Sequence, residues 1–452
     1  MIKYNFTKKL LLYIYIILLP FMRAPQLPLF KEKIQYCDIV FLFLFILWFI
    51  QIKKVKMTLQ RTPLILSFIT MLGMFLFSFI HSSRYLQSSI EFMGIFYLVC
   101  LYFIFCQIID SEEVWWKIIK CWVIVSFFIS VTGVFAYMIS VFCKIPTFLI
   151  IQWNLNYHLG NRLNSFFRHP AMLATYLHTS IVFAFILAGA SKNHIKNKWW
   201  IYATIIFCII AAILTKTRVI AGILMTIFLI INSLKNKNAL FAFMKYSAFL
   251  FFVMITVFVF ILLRWEFFPV KFNINKENKS AQIEINLAPQ VYYIIHKKAA
   301  RIIKDYPFIG VGMGMYNYTP GYVKWEEAKD SYRIYYPNVT EKDEDIYSIG
   351  SDPHSTYLGW TAETGLLGLS GIILVLLGGL YSIYQRSRNT IDLEKKLLYQ
   401  CILAGISGFL LNGYFIDILT MRHFWILFAM GLILVRFSIT QKISNLKQNI
   451  GA

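Results

Sequence analysis

The sequence has few charged residues for its length. Only 15% of its 452 residues are Asp, Glu, Lys or Arg, whereas 58% are hydrophobic. A soluble domain normally carries about 25% charged residues. So much apolar surface needs lipid as its solvent, and the composition therefore excludes an ordinary soluble globular protein.

Acidic residues are the scarcer of the two charge types. The chain has 22 acidic and 44 basic residues, which gives a formal net charge of +22. A charge of this size can indicate nucleic-acid binding. Here the Lys and Arg residues are spread through short segments between apolar runs, which is typical of membrane topology and of contact with anionic lipids. We therefore expect no nucleic-acid partner.

Cysteine is almost confined to the apolar runs. None of the seven cysteines falls in the long polar segment 264–355, so neither a disulfide framework nor a CxxC metal site is predicted there. The N-terminal segment lacks a small-residue cleavage site, and we expect it to be an uncleaved first span. The sequence shows no internal repeat.

Twelve apolar runs predict an all-α, polytopic membrane protein with about twelve transmembrane helices. The predicted runs are 8–22, 38–52, 63–80, 90–109, 118–142, 170–190, 199–214, 219–234, 246–263, 364–384, 397–413 and 421–438. Basic residues are more frequent in alternate connecting segments, which places both chain ends in the cytoplasm.

This topology divides the chain into three parts. Residues 1–263 hold the first nine spans, residues 264–355 form one large extracytoplasmic loop, and residues 356–452 hold the last three spans and a cytoplasmic tail. Apolar residues recur at helical spacing over 290–305, which predicts an amphipathic helix within the loop. Asp305-Tyr306-Pro307 should end that helix.

The clearest candidate for chemistry is a histidine at the point where the polar loop re-enters the membrane. His354 follows Asp352-Pro353, and Gly365 and Gly368 lie in the next apolar run, where small residues permit close helix contact. A histidine at the lipid interface titrates near neutral pH and can act as a general base. The alternative is an interfacial histidine bonded to a backbone carbonyl.

Three arginines, Arg162, Arg218 and Arg301, fall in outer segments next to apolar runs. Ionisable groups at membrane depth are costly and usually functional. A guanidinium group stays charged and binds phosphate oxygens through two parallel hydrogen bonds. We therefore interpret all three as candidates for binding a phosphate group. The alternative for each is an arginine whose charged end reaches back to the interface.

Other signals are weaker. Gly310, Gly312 and Gly314 form a GxGxG pattern without a strand–turn–helix context, so we interpret them as a tight turn at which the backbone closely approaches a substrate. The acidic run 343–345 fits a DxD metal pattern but is typical of a solvated loop face. His169 is predicted to be structural, because it directly precedes a proline at the start of an apolar run.

These residues resemble the signature of a known family. His354-Ser355, nine intervening residues and Gly365-Leu366-Leu367-Gly368 are similar to the H-[NSQ]-x9-G-x-x-G signature of bacterial O-antigen ligases. Further segments that match the family in order and spacing are 162–170, Thr217-Arg218, 306–314 and 417–425. The resemblance is strongest over 150–435. One departure is Thr217-Arg218-Val219, where such ligases often have Ser-Arg-Gly.

The resemblance implies a multi-pass inner-membrane glycosyltransferase whose active site lies on the periplasmic face and which needs neither a metal nor another cofactor. Such ligases move an O-polysaccharide from undecaprenyl diphosphate onto a sugar of the lipid A core. Carried onto this chain, the resemblance has His354 deprotonate the acceptor hydroxyl, while Arg218 and Arg301 hold the diphosphate. With one nucleophile and one base, we expect inversion at the anomeric carbon.

Two other functions stay open at this point. O-antigen polymerases share the architecture and the histidine signature, and differ in using a second lipid-linked glycan as the acceptor. A transporter or flippase also has about twelve spans, but transporters often show repeated halves, and here the polar residues are concentrated in one outer loop.

Overall fold

A computed structural model of the chain describes residues 2–22, 35–55, 64–143, 149–152, 161–190, 197–235, 290–329, 338, 340–343 and 353–450. Within these ranges the chain is mostly helical. The predicted run 246–263 and most of the predicted loop 264–355, including Asp352 and the residues Glu344 and Asp345 of the acidic run, lie outside the described residues.

The helices follow the predicted apolar runs. In chain order they are α1 (Ile2–Leu18), α2 (Tyr36–Val55), α3 (Ile65–Ile80), α4 (Tyr85–Ile108), α5 (Glu112–Phe142), α6 (Pro170–Gly189), α7 (Trp199–Leu214), α8 (Ile220–Lys235), α9 (Gln290–Asp305), α10 (Thr356–Asn389), α11 (Leu393–Asn412) and α12 (Arg422–Ile450). Each predicted run other than 246–263 coincides with one of them. The amphipathic helix predicted over 290–305 is α9, and its bounds are confirmed.

A small sheet departs from the all-α prediction. Strands β1 (Ile150–Gln152) and β2 (Asn161–Leu163) pair antiparallel, with Ile151 opposite Arg162. The β-branched side chains of Ile150 and Ile151 suit a strand. Three-residue strands are too short to show a period, so the pattern of apolar residues did not predict this sheet. The pairing of the two strands fixes the backbone of Arg162.

By length and composition, five of the described helical segments can cross a membrane: α4, α5, α6, α10 and Arg422–Ile439 of α12. Shorter apolar segments are Tyr36–Ile50, Ile65–Ile80, Trp199–Leu214 and Ile220–Ser233. The chain is therefore a multi-pass membrane protein, while the number of about twelve spans stays a prediction. Helix α6 lies at the centre of the bundle, because 78% of its most apolar window is buried.

The two ends of the bundle carry different groups. At one end, Lys9 pairs with Asp110 at 2.9 Å and Lys395 pairs with Glu112 at 3.0 Å. Both lysines belong to segments predicted to be cytoplasmic. At the opposite end, backbone hydrogen bonds join the 306–316 segment to the first part of α10, and the Ser88 hydroxyl of α4 donates to the Met313 carbonyl at 2.5 Å. That second end holds the candidate site.

Candidate active site at one end of the bundle

His354 lies directly before α10 in a backbone conformation that side chains rarely adopt. Its φ is 46°, in the left-handed region. For a residue other than glycine this conformation costs about 1–3 kcal/mol, and it persists only where the surrounding structure holds it. Residues with such strain cluster at active sites.

The chain that follows His354 is fastened to the turn between α11 and α12. The Thr356 N–H donates to the Gly413 carbonyl at 2.8 Å, and the Ile418 N–H donates to Thr356 Oγ1 at 2.9 Å. The Tyr357 hydroxyl donates to the Leu410 carbonyl at 2.6 Å. These bonds fix the position from which the imidazole projects.

Helix α10 is interrupted nine residues after its start. Gly365 has φ 65° and ψ −171°, which breaks the helix into two parts. The carbonyls of Pro307 and Phe308 accept the N–H groups of Leu366 and Leu367 at 2.8 and 3.1 Å. The 306–316 segment thus satisfies donors that the break leaves without helical partners.

The predicted glycine turn approaches α10 at this break. A Cβ on Gly310 would lie 2.3 Å from the backbone of Glu363, so only glycine fits there. The Glu363 carboxylate accepts the N–H groups of Gly314 at 2.9 Å and Tyr316 at 3.2 Å, and its carbonyl accepts that of Gly312 at 3.0 Å. The close approach expected of these glycines is therefore made to a helix of the chain itself.

Gly368 serves a packing role on the other side of α10. A Cβ there would lie 3.3 Å from the ring of Phe75, and one on Gly371 would lie 3.0 Å from Met71, both on α3. Small residues let two helix backbones approach closely. The close contact with α3 supports the part of α10 that follows the break.

Two of the predicted arginines lie at the turn between α7 and α8. Arg162 reaches it from β2, and its Nε donates to the Thr215 carbonyl at 3.0 Å. Arg218 is part of the turn itself, and its side chain is exposed. A cation at the C-terminal end of a helix such as α7 is favoured by the helix dipole.

The third predicted arginine has different neighbours. Arg301 donates from Nη1 to the Tyr322 carbonyl and from Nη2 to Glu327, both at 2.8 Å. Lys297 binds the same carboxylate at 2.8 Å. These contacts hold the segment after the glycine turn against α9. Arg301 thus stabilises the segment that contains Tyr322 and Glu327. No described contact joins Arg301 to His354.

Sequence reasoning missed His296, which α9 brings to His354. The pKa of His296 is lowered to about 4, first by burial and then by the charges of Arg218 and His354, while a hydrogen bond to the backbone of Pro353 raises it. His296 and Arg301 are five residues apart, so they point about 140° apart around a helix. Their angular positions on the predicted helix could have shown that His296 and Arg301 face different sides.

His169 also faces the site. Its Nδ1 accepts the Ala171 N–H at 3.2 Å and caps α6, in keeping with the structural role expected of it. The ring keeps an exposed side. Its pKa is lowered by partial burial and then by the charges of Arg162 and His354. The site thus gathers three imidazoles and two guanidinium groups from the 161–169 segment, the α7–α8 turn, α9 and the residue before α10.

The described residues include no group of three His, Cys, Asp or Glu side chains placed to hold a metal ion. Arg162 and Arg218 bring positive charge to the site. Such an arrangement suits an anion, and an adjacent imidazole can take a proton from a hydroxyl group.

Comparison with known protein families gives the site a context. Residues 203–373 match the model of the family described as O-antigen ligase. This match supports a relationship of residues 203–373 to the O-antigen ligase superfamily. The matched segment contains Arg218, Arg301, the glycine turn and His354, and it ends just after Gly368. Among curated proteins, the search finds no match for this chain.

The match favours a glycosyltransferase-like activity on lipid-linked glycans, of the ligase or the polymerase type. Arg162, His169 and the α11–α12 turn lie outside the matched residues. They reach the site only through the tertiary fold.

Proposed function

We propose that the chain is an O-antigen ligase that transfers a glycan from undecaprenyl diphosphate to a sugar hydroxyl of the lipid A core. The observation that carries the proposal is the convergence of His354 with Arg162 and Arg218 at one end of the bundle. In this proposal the site faces the periplasm, and the membrane is the bacterial inner membrane.

The reaction is a single displacement at the anomeric carbon. His354 takes the proton of the acceptor hydroxyl as its oxygen forms the new glycosidic bond. The bond between the anomeric carbon and the diphosphate oxygen breaks, and undecaprenyl diphosphate leaves with the electron pair. Attack from the face opposite the leaving group inverts the anomeric configuration.

Arg218 and Arg162 stabilise the charge that develops on the leaving diphosphate. Preorganised donors at a developing negative charge are among the largest contributions to catalysis. Diphosphate is already a good leaving group, so guanidinium groups suffice in this mechanism and no metal is required. Arg301, which the sequence had placed with Arg218, is bound to Glu327 and would contribute to diphosphate binding only by exchanging that partner.

A polymerase would use the same donor and the same base, with a second lipid-linked glycan as the acceptor. One assay distinguishes the ligase from the polymerase. Purified protein is incubated with a lipid-linked O-polysaccharide donor and either lipid A-core or a lipid-linked O-unit. Transfer to lipid A-core alone supports the ligase, transfer to the O-unit alone supports the polymerase, and transfer to neither contradicts both.

A further inference from the structure

The start of helix α8, directly after Arg218, is capped by a residue of another helix. The first N–H groups of a helix have no partner within it, and a side-chain oxygen of the preceding residue normally accepts one of them. The residue before α8 is Val219, whose side chain has no acceptor. Asn412, the last residue of α11, supplies the oxygen, because its Oδ1 accepts the Gly222 N–H at 3.1 Å. Asn412 therefore takes the place of a local cap.

Asn412 also begins the turn that fastens the chain behind His354. The next residue, Gly413, accepts at its carbonyl the Thr356 N–H at 2.8 Å and the Ser355 hydroxyl at 3.4 Å. Ser355 directly follows His354 in the sequence. The neighbouring residues Asn412 and Gly413 therefore connect the α7–α8 turn to the segment that positions His354.

Glycines bring α8 and α11 close enough for this connection. A Cβ on Gly222 would lie 2.2 Å from the Gly408 carbonyl oxygen and 2.4 Å from Asn412 Nδ2. A Cβ on Gly408 would lie 2.4 Å from the Gly222 carbonyl oxygen. Small residues let helix backbones approach closely in a membrane protein. Asn412 itself is fully buried, so its hydrogen bonds form away from water.

A buried histidine fixes the orientation of the Asn412 amide. The Gly222 N–H can only donate, so the amide oxygen faces Gly222 and Nδ2 faces His178 Nδ1 at 3.4 Å. The His178 Nδ1 atom then accepts, and the ring proton lies on Nε2, which is 2.6 Å from Thr226 Oγ1. The Thr226 hydroxyl donates to the Ala404 carbonyl at 3.1 Å. This directed series of hydrogen bonds holds the amide in one orientation.

We propose that Asn412 is a positioning residue, which fixes the separation between Arg218 and His354. The proposal rests on the proposed function, in which Arg218 stabilises the leaving diphosphate and His354 takes the proton of the acceptor hydroxyl. These two groups act on opposite sides of the anomeric carbon, and a misplacement of about 1 Å can cost about 10²-fold in rate. Asn412 touches neither substrate and acts through the two turns that it connects.

Amide hydrogen exchange tests the connection without any substrate. Asn412→Leu keeps the approximate size of the side chain but removes both of its hydrogen bonds. Exchange should become about 3- to 10-fold faster at residues 220–223, the size expected for the loss of one hydrogen bond, and should also rise at residues 354–358. If Asn412→Leu does not fold, Asn412→Ala, which leaves room for a water molecule, takes its place. An increase confined to residues 220–223, or no increase at all, would overturn the proposal.

The matched control is Tyr399→Phe, which removes a buried hydrogen bond from the opposite end of the same helix. The Tyr399 hydroxyl lies 2.6 Å from Ser438 Oγ of α12. Tyr399→Phe should lower the melting temperature about as much as Asn412→Leu does, since each loses contacts between helices. It should leave kcat and the exchange of residues 220–223 as in wild type. Equal losses of kcat in the two variants would mean that Asn412 only stabilises the fold.

Transfer kinetics with the lipid-linked donor complete the test. Asn412→Leu should lower kcat by about 10- to 100-fold, as expected for displaced catalytic groups, with little change in KM for the donor. Asn412→Asp should restore kcat, because one carboxyl oxygen can accept the Gly222 N–H while the other shares a proton with His178. A normal kcat in Asn412→Leu, or no recovery in Asn412→Asp, contradicts the proposal. Full activity of His354 variants would instead refute the proposed function and leave the exchange result standing.

Discussion

Two arginines at the same end of the bundle have opposite surroundings. Arg422 donates from Nη2 to Asp38 at 2.8 Å, from Nη1 to Gln35 at 2.9 Å and from Nε to the Tyr97 hydroxyl at 3.0 Å. The Arg422 and Asp38 side chains are each only 18% exposed. This guanidinium therefore joins α2, α4 and α12, and its three nitrogens already have partners.

Arg218 lies in the exposed α7–α8 turn, and its charge acts on His296 beside His354. Both arginines precede an apolar helix in the sequence, and the same rule on charges at membrane depth applies to both. Their burial and partners distinguish them. An arginine whose donors are taken by the protein stabilises the fold, whereas an exposed one beside an imidazole can receive a substrate anion.

The largest expected effect is at His354. His354→Asn removes the imidazole but keeps a residue that tolerates the left-handed backbone. We expect transfer to fall by about 10²- to 10⁴-fold, the usual contribution of a general base, with an unchanged melting temperature. Transfer at the wild-type rate would refute the assignment of the base.

Arg218 comes next. Arg218→Ala should lower transfer by about 10²-fold, since it removes one of the cations placed for the leaving diphosphate. Arg218→Lys keeps the charge but loses the forked geometry, and we expect an intermediate rate. Melting temperatures should match wild type in both variants. A large loss of stability in Arg218→Ala would indicate that Arg218, like Arg422, stabilises the fold and does not bind the substrate.

Breaking the Arg422 group should affect stability more than chemistry. Asp38→Asn leaves a buried guanidinium without its counterion, which typically costs about 3–5 kcal/mol. We expect a marked fall in the melting temperature of the detergent-purified protein. The fraction that stays folded should transfer glycan at the wild-type rate per molecule. A normal melting temperature with lost transfer would place Arg422 in the catalytic machinery.

A pH titration of stability should report on His296. Its pKa is about 4 in the folded protein against an ordinary 6.5. Between these values the unfolded chain binds more protons, so stability is complete above pH 6.5 and declines as pH falls towards 4. Melting curves from about pH 7.5 to about pH 4.5 measure this decline. It should be shallower in His296→Asn; an identical slope would show that His296 does not titrate as inferred.

The smallest effect is expected at Arg301. Its ion pair with Glu327 is partly exposed, at 28% and 26% of the two side chains, and such pairs contribute about 0.2–1 kcal/mol. Arg301→Ala should therefore leave transfer within about 3-fold of wild type, in line with that energy. A loss as large as that of Arg218→Ala would return Arg301 to the diphosphate site.

Each apolar run other than 246–263 predicted a helix of the fold, although α10 begins eight residues before its run and α12 ends twelve residues after its run. Apolar runs and helical spacing placed α9 at its observed bounds, and Pro307 marked the end of that helix. The short β1–β2 sheet was not predictable in the same way, since three residues show no period. The break at Gly365 was also hidden, because the run of apolar residues continues through it.

The candidate site was predicted in part. His354, Arg162 and Arg218 carry local signals, because each is a polar residue next to an apolar run. His296 carries none, since a histidine in an amphipathic helix looks like any other polar residue there. The fold brings it near His354, which lies 58 residues further along the chain.

The sequence by itself determined that the chain lies in a membrane, which segments are helical, and which residue types face the interface, because apolar period and charge are local properties. Only the tertiary structure decided which charged groups meet. Arg162 joins Thr215 and Arg301 joins Glu327 through contacts between segments distant in sequence. The β1–β2 pairing places Arg162, the angular register of α9 places Arg301, and neither follows from composition.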